Sequence, residues 1–146
     1  AGCDVHHTAI DPYQSHAWGG AARLLHAEAG IDRSVTLDER ESVIALSDWF
    51  EAGRTLDFAF VDGCHWYECA LIDLVLLARI VRPGGVIAID DLWMPTVRDA
   101  VSYATANLNL RFEHMHERNG KPRLAVLRVE AIDADRAWDS YIPVSA

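Results

Sequence analysis

The apolar residues of this chain fall into short runs with strand character, which alternate with longer stretches at helical spacing. Strands are predicted at residues 6–10, 35–37, 56–61 and 86–89. Helices are predicted at residues 18–29, 42–53, 67–82 and 95–108. The strand 86–89, Val-Ile-Ala-Ile, is apolar on both faces, as is typical of a central strand in a parallel sheet.

Two of the helices carry patterns that predict their burial. The helix 18–29 should bury one face and end at Gly30. The residues of that face are Trp18, Ala21, Ala22, Leu25 and Ala29. The helix 67–82 is apolar almost all round, so it should be largely buried, and Pro83-Gly84-Gly85 should end it.

The last part of the chain changes to antiparallel structure. Strands are predicted at residues 110–118 and 124–129, joined by the turn Asn119-Gly120-Lys121-Pro122. The first of them alternates polar residues and should be an edge strand, whereas the second is apolar on both faces and should be internal. The whole pattern predicts an α/β fold, a Rossmann-like, doubly wound, mostly parallel sheet with a terminal antiparallel hairpin.

Length, charge and cysteine content narrow the classes of protein. A chain of 146 residues fits one domain, residues 1–146, with 131–146 as a C-terminal tail. The longest apolar run, residues 74–78, is far too short to span a bilayer, so no membrane partner is expected. Three cysteines without a Cys-x-x-Cys motif favour a reducing, cytoplasmic setting.

The formal net charge of −9 is concentrated in the first half of the chain. Residues 1–73 hold 4 Lys or Arg against 13 Asp or Glu, and residues 74–146 hold 9 against 9. Binding to a phosphate backbone needs a basic face, so a nucleic-acid partner is not expected. A solvated acidic surface explains most of this excess of acidic residues as well as a cation-binding site does.

Acidic residues stand directly after most of the predicted parallel strands, where ligands bind in open sheets of this kind. Asp11 follows the first strand and is placed to accept both hydroxyls of an adenosine ribose. Asp62, Asp90 and Asp91 follow two later strands and offer the hard oxygen ligands that Mg²⁺ prefers. His65, in the loop after Asp62, is a candidate general base.

Each of these residues also has a purely structural interpretation. Asp11 can cap the turn before Pro12, Asp62-Gly63 is common turn chemistry, and Asp91 can cap the next element. His65 can be a loop histidine bonded to backbone. The functional hypothesis therefore depends on the whole set occurring at one rim of one sheet.

Several motifs resemble those of class I S-adenosylmethionine-dependent methyltransferases. They are Ile10-Asp11-Pro12, the run Asp62-Gly63-Cys64-His65-Trp66-Tyr67, and Arg82-Pro83-Gly84-Gly85 followed by Asp90-Asp91. The resemblance covers about residues 6–130. It is greatest to the O-methyltransferases of small molecules whose fourth strand ends in Asp-Gly-x-His-x-Tyr.

The resemblance implies an enzyme that uses S-adenosylmethionine to methylate a hydroxyl of a small molecule. It implies that Asp11 holds the cofactor ribose, with Glu41 and Ser42 against the adenine. Asp62 is assigned both to the cofactor site and, with His65, to catalysis. In metal-dependent members the positions of Asp62, Asp90 and Asp91 bind a divalent cation, so Mg²⁺ is a further expected cofactor.

Two departures from the family pattern matter. Where some metal-dependent members have a second acid two residues after the first aspartate, this chain has Cys64, which moves the role of base to His65. The glycine-rich loop of the family has no match, so the first strand, its loop and its helix are expected to be missing from the front of this chain. The sheet should then have a gap between the strands that end at Asp11 and Asp62.

Three alternatives stay open from the sequence. One is a nicotinamide-dependent dehydrogenase, in which an acid after the second strand also holds a ribose. Another is a non-catalytic fragment or structural remnant of a methyltransferase domain. The gap in the sheet also leaves open that the chain pairs with itself as a homo-oligomer.

Overall fold

Helices and strands alternate along residues 5–31, 33–132 and 139–144, which are the residues that this computed structural model describes. The predictions that concern Cys3 and half of the tail 131–146 lie outside them. The elements are β1 His7–Ile10, α1 Ala21–Ala29, β2 Val35–Asp38, α2 Ser42–Glu51, β3 Leu56–Val61, α3 Tyr67–Ile80, β4 Val81–Ile89, α4 Pro95–Asn107, β5 Leu110–Arg118 and β6 Lys121–Val129.

The chain divides into two units, which are named here the N-terminal unit, Ala1–Ala45, and the C-terminal unit, Leu46–Ala146. The boundary falls within α2. The strands form two sheets, with β1 and β2 in one and the order β3-β4-β6-β5 in the other. The two-stranded sheet lies in the N-terminal unit, and the four-stranded sheet lies in the C-terminal unit.

The N-terminal unit contains a two-stranded parallel sheet, in which His7 of β1 pairs with Val35 of β2. The prediction that α1 buries one face is wrong, since none of its residues is buried and Leu25 is 61% exposed. The helix also starts later than predicted, at Ala21. Because the predicted face is mostly alanine, it offers little apolar area to bury, and no other described element packs extensively against it.

The C-terminal unit holds the hydrophobic core. Its sheet pairs β3 with β4 in parallel and β6 with β4 and β5 in antiparallel fashion, so β5 is an edge strand and β6 is internal, as predicted. Helices α3 and α4 pack against each other, α3 against β3 and β4, and α4 against β5. The fully buried side chains include Leu74, Ile80, Ile87, Leu127 and Val129. These elements confirm the mixed α/β fold predicted from the sequence.

The junction of α3 and β4 differs from the prediction. The helix ends at Ile80, and β4 begins at once at Val81, so Pro83-Gly84-Gly85 lies inside the strand. The register shifts there, because Leu56 pairs with Val81 and Phe58 pairs with Val86. The backbone passes so close at Gly85 that a Cβ would lie 2.9 Å from the Asp57 carbonyl oxygen and 2.8 Å from that of Arg82.

The terminal hairpin is tighter than predicted. β5 and β6 are joined by two residues, Asn119 and Gly120, with φ of 54° and 70°. Positive φ at both positions is typical of a type I′ turn, for which Asn-Gly is the preferred pair. Lys121 and Pro122 therefore belong to β6.

Two smaller features complete the described structure. Ser42 is the first residue of α2, and the carbonyl of Glu41 before it accepts from the amide of Ala45 at 3.1 Å. Asn107 at the end of α4 bonds to both backbone groups of Ile142, at 2.8 and 3.0 Å, which ties residues 139–144 to that helix.

No helix in the described ranges has the length and apolarity needed to cross a membrane.

Candidate active site

The ends of β3 and β4 bring the predicted residues of the C-terminal unit to one rim. The two strands are parallel, with Val61 paired to Ile89, so Asp62 and Asp90 leave the sheet side by side. The amide of Asp90 donates to the carbonyl of Val61 at 2.9 Å, which extends this pairing by one step. The loops that follow both strands consequently start from fixed, neighbouring positions.

Asp62, His65 and Asp91 form a cluster, called here the rim cluster. One ligand atom from each lies within 4.8 Å of the other two. Nε2 of His65 is 2.8 Å from Oδ2 of Asp91, whose side chain is 15% exposed. Nε2 is buried, and its contact with Asp91 lacks the geometry of a hydrogen bond.

Asp90 does not belong to the rim cluster. The predicted set of three carboxylates thus comes together only in part, with His65 in the place expected for Asp90. Oδ1 of Asp90 accepts the amide of Asp91 at 2.7 Å. Both residues lie beyond β4, which ends at Ile89, so their directions are set by the turn that follows the strand, where Asp91 has a positive φ.

Asp91 is held in place by two residues that the sequence analysis did not connect with it. The indole N–H of Trp93 donates to Oδ1 of Asp91 at 2.8 Å, and Nη2 of Arg123 lies 3.0 Å from the same oxygen. Arg123 also lies over the Trp93 ring, 6.0 Å from its centroid. Asp91 itself has a φ of 56°, an uncommon conformation for a residue other than glycine.

The loop that carries His65 is tied to α4. Oγ1 of Thr96, in the first turn of that helix, donates to the carbonyl of His65 at 2.7 Å. Trp66 follows and is 68% exposed, and with Tyr67, Glu68 and Thr96 it lines a shallow hollow. Trp93, after β4, is likewise exposed, and Trp18 is exposed in the N-terminal unit.

Asp90 instead lines a separate cleft of about 320 Å³, called here the basic cleft. Its lining is formed by Phe60, Asp90, His116, Arg118, Arg123 and Leu124. These residues come from β3, the end of β4, and the terminal hairpin. Arg123 is shared, since it lines the basic cleft and also contacts Asp91 of the rim cluster.

Two free cysteines lie beside the rim cluster. Cys64 stands in the His65 loop and is exposed, and Cys69 lies in the first turns of α3. A hydrogen bond from Cys69 to Cys64, together with burial, raises the pKa of the Cys69 thiol to about 11. Cys69 is therefore protonated and a weak nucleophile at neutral pH.

The donor atoms of the rim cluster fit a divalent metal ion. Two carboxylate oxygens and one imidazole nitrogen, close enough to share one ion, suit Mn²⁺, Fe²⁺ or Zn²⁺ better than Mg²⁺, which prefers oxygen donors. The buried, unbonded Nε2 of His65 is the atom that would gain most from an ion there. The same nitrogen cannot hold a metal and accept a proton at once.

Asp11 lies in the N-terminal unit, directly after β1. Its Oδ1 accepts the amide of Tyr13 at 2.8 Å, and its Oδ2 accepts Nε2 of Gln14 at 2.7 Å. These bonds are the turn-capping role that the sequence analysis weighed against ribose binding. A carboxylate has about four acceptor sites, so two of them remain for other donors.

Gln14 was missed by the sequence analysis. Its amide nitrogen is bound to Asp11, while its Oε1 is buried and has no hydrogen-bond partner among the described residues. A buried, unbonded acceptor beside Asp11 is suited to a hydroxyl donor. Its place three residues after an acidic strand end is the only signal in the sequence that marks it.

The other two predicted cofactor residues lie where β2 leads into α2. Glu41 is exposed and precedes the helix, and Ser42 is partly buried at its first position. Near them Asp38 binds Arg40 at 2.7 Å. Glu39 accepts from Ser15 and Arg23, and these bonds, Arg23 first, lower the pKa of Glu39.

This chain is similar to one known family of protein domains and to several solved structures. The sequence profile of a methyltransferase domain matches residues 1–92. No curated protein sequence matches the chain significantly. Among solved structures, a proposed O-methyltransferase from Klebsiella pneumoniae superimposes with a TM-score of 0.69 at 21% identity, covering 85% of this chain and 61% of its own.

Two further structures show how widely the fold is shared. An O-methyltransferase from Bacillus cereus, in complex with S-adenosylhomocysteine, has a TM-score of 0.66 at 14% identity and covers 82% of this chain and 60% of its own. A proposed ribosomal RNA methylase from Clostridium thermocellum has a TM-score of 0.59 at 14% identity, with coverage of 83% and 70%. Sequence identities this low establish the fold and leave the substrate open.

This chain spans about a third to three fifths of the length of the first structures that it matches. The match to the methyltransferase profile covers more than half of the chain and includes both Asp11 and the rim cluster. The chain belongs to the class I S-adenosylmethionine-dependent methyltransferase domains.

Proposed function

We propose that the protein transfers a methyl group from S-adenosylmethionine to a hydroxyl group of a small molecule. The observation that carries the proposal is the contact of 2.8 Å between His65 Nε2 and Asp91 Oδ2 at the rim of the parallel strands. A histidine held beside a carboxylate is suited to take a proton from a hydroxyl, since the carboxylate stabilises the cation that forms.

The cofactor, when bound, supplies a methyl group on a positively charged sulfur. Asp11 would hold its ribose, with the free Oε1 of Gln14 as a second acceptor. Glu41 and Ser42 would lie against its adenine. The resemblance assigns Asp62 to the cofactor as well, and this residue lies in the C-terminal unit, in the rim cluster.

In the proposed mechanism, His65 accepts the proton of the acceptor hydroxyl at Nδ1, because Nε2 is buried and faces Asp91. Asp91 stabilises the protonated imidazole, and Trp93 and Arg123 hold Asp91 in the position that this requires. Thr96 fixes the backbone of His65 through its carbonyl. The acceptor oxygen is thus held as a better nucleophile in a fixed direction, which is the main contribution a positioned base makes.

Metal assistance is a second mode of the same chemistry. A divalent ion held by Asp62, His65 and Asp91 would lower the pKa of a bound hydroxyl. His65 would then be a ligand and not the base. The two modes differ in their response to a chelator, so they are separable by experiment.

A small-molecule acceptor is favoured over RNA by charge. The chain has a net charge of −9, and an RNA substrate needs an extended basic face along its backbone. The nicotinamide-dependent dehydrogenase is not supported, because the matching family is that of methyltransferases. Cytoplasmic location, suggested by the cysteines, and self-association remain proposals.

The test is release of S-adenosylhomocysteine from S-adenosylmethionine in the presence of a panel of catechols and sugars. His65→Gln should lower the rate by about a hundredfold or more. Binding of S-adenosylhomocysteine should stay within about twofold of wild type, because His65 is not among the residues proposed to contact the cofactor. His114→Gln, a change at an exposed histidine outside both sites, is the matched control.

Activity that survives His65→Gln would contradict the catalytic role. Loss of activity on treatment with a chelator, restored by Mn²⁺, would assign His65 as a metal ligand. A wild-type protein that binds the cofactor product but turns over none of the panel would favour the non-catalytic alternative.

A further inference from the structure

The basic cleft is the feature that the proposed chemistry does not use. It lies in the C-terminal unit beside the rim cluster, and its lining combines Arg118, Arg123 and His116 with one carboxylate, Asp90. Lys121, the only lysine of the chain, lies in the same hairpin. Residues 118–123 thus hold three basic residues and no acid in a chain with a net charge of −9.

Arg118 is the arginine of the basic cleft that has no carboxylate partner among the described residues. It is exposed at the end of β5 and forms no ion pair with any carboxylate that the structure describes. The other arginines of the same sheet are paired, Arg111 with Glu130 at 2.8 Å and Arg128 with Glu113 at 2.6 Å. An unpaired guanidinium that lines a cleft is a ready donor for an anionic ligand.

The remaining lining indicates what surrounds the anion. Phe60, which is 52% exposed, and Leu124 give the cleft apolar surface. Asp90 offers a carboxylate that can accept hydroxyl groups. A volume of about 320 Å³ exceeds the need of a lone anion and leaves room for a hydroxylated carbon skeleton.

Arg123 links the cleft to the chemistry. It lines the cleft while its Nη2 contacts Asp91, the partner of His65. A ligand whose anionic end lies in the cleft would therefore extend toward the rim cluster, with a hydroxyl within reach of it.

We propose that the basic cleft binds the phosphoryl group of the methyl acceptor, so that the acceptor is a phosphorylated polyol. That the ligand is the methyl acceptor rests on the proposed function, but binding of the phosphoryl group does not require methyl transfer. A phosphoryl group is favoured over a carboxylate, because its charge and oxygens can engage Arg118 and Arg123 together.

The test is calorimetric titration of the protein with sorbitol 6-phosphate, sorbitol and gluconate, which share a six-carbon chain and differ in their anionic group. Sorbitol 6-phosphate should bind, gluconate should bind about tenfold more weakly or less, and sorbitol should give no measurable heat. Arg118→Gln should weaken binding of the phosphate by about tenfold or more. Arg98→Gln, at an exposed arginine of α4, should leave it unchanged.

Other outcomes would overturn the proposal. They are equal binding by wild type and Arg118→Gln, absence of binding by wild type at millimolar ligand, and tighter binding of a short oligouridine than of sorbitol 6-phosphate. Displacement of the phosphate by S-adenosylhomocysteine would assign the cleft to the cofactor and also overturn it. If the phosphate binds as expected while S-adenosylhomocysteine does not bind at all, the proposed function fails and this site stands.

Discussion

The two units of this protein differ most in what they bury. Among the described residues of the N-terminal unit, only Ala45 at its boundary is buried, and the helix α1 exposes Leu24 and Leu25 by 65% and 61%. In the C-terminal unit, by contrast, Ile87, Leu127 and Val129 have no exposed surface. The N-terminal unit carries all the residues proposed for the cofactor except Asp62, and the C-terminal unit carries those proposed for the chemistry.

The difference indicates where the stability of each site comes from. The rim cluster follows directly from β3 and β4, whose residues are anchored in a buried sheet, so its geometry has rigid support. Asp11 and Gln14 are held mainly by local hydrogen bonds in a turn. We therefore expect mutations in the core of the C-terminal unit to unfold the protein, and changes in the N-terminal unit to alter binding more than stability.

The largest expected effect comes from removing a core side chain. Ile87→Ala should lower the free energy of unfolding by about 2–5 kcal/mol, since it leaves a cavity in a fully buried site. Leu25→Ala, on the exposed face of α1, should change it by less than about 0.5 kcal/mol. Urea denaturation followed by circular dichroism measures both values.

If Ile87→Ala does not fold, Ile87→Val should still cost about 0.5–1.5 kcal/mol. A loss of unfolding free energy for Leu25→Ala as large as that for Ile87→Ala would contradict the difference between the units, because it would show that α1 buries that face.

A smaller effect is expected at the start of β4. Gly85→Ala should destabilise the protein by about 1–3 kcal/mol, because the new Cβ would meet two backbone oxygens at less than 3 Å. Gly63→Ala is the matched control, since a Cβ there has nothing within 4 Å and should cost little. Thermal unfolding of the two variants measures the difference, and equal midpoints would show that the close approach at Gly85 is absent.

The smallest effect concerns exposed ion pairs, one in each unit. Hydrogen bonding to Arg128 lowers the pKa of Glu113, and hydrogen bonding to Arg23 lowers that of Glu39. A carboxyl whose pKa is lower in the folded state stabilises the fold above its unfolded pKa, and this contribution is lost as the pH falls through the folded pKa. Glu113→Gln should therefore lower the melting temperature slightly at neutral pH and have no effect at strongly acidic pH.

Glu39→Gln should have a smaller effect on the main transition than Glu113→Gln, because its pair stabilises a unit that lacks a buried core. High salt should reduce both effects. Melting curves of the two variants against pH check this, and a larger effect of Glu39→Gln would contradict the ranking of the units.

The sequence correctly predicted the elements for which the hydrophobic pattern and the flanking turn residues agree. The bounds of β3 are as predicted, and β5 and β6 were correctly identified as edge and internal strands. The prediction was wrong for α1, because the helical spacing of its apolar residues was taken as evidence of burial. The helix forms, but none of its residues is buried. It was also wrong at Pro83-Gly84-Gly85, because a proline and two glycines can form a strand irregularity as well as end a helix.

The candidate site was predictable only as a set of acidic strand ends. The sequence could not separate Asp90 from Asp91, because their directions depend on how the backbone turns after β4. It could not indicate Arg123, which reaches Asp91 from a strand 32 residues later in the chain. Gln14 was hidden because a lone polar residue in a turn has no distinguishing pattern.

The division of roles between the two units is tested most directly by calorimetric titration of the wild type, Asp11→Asn and His65→Gln with S-adenosylhomocysteine. The division between a cofactor site in the N-terminal unit and chemistry in the C-terminal unit predicts that Asp11→Asn weakens binding by about tenfold or more. It also predicts that His65→Gln binds as wild type does. Unchanged binding by Asp11→Asn, or loss of binding by His65→Gln alone, would contradict it.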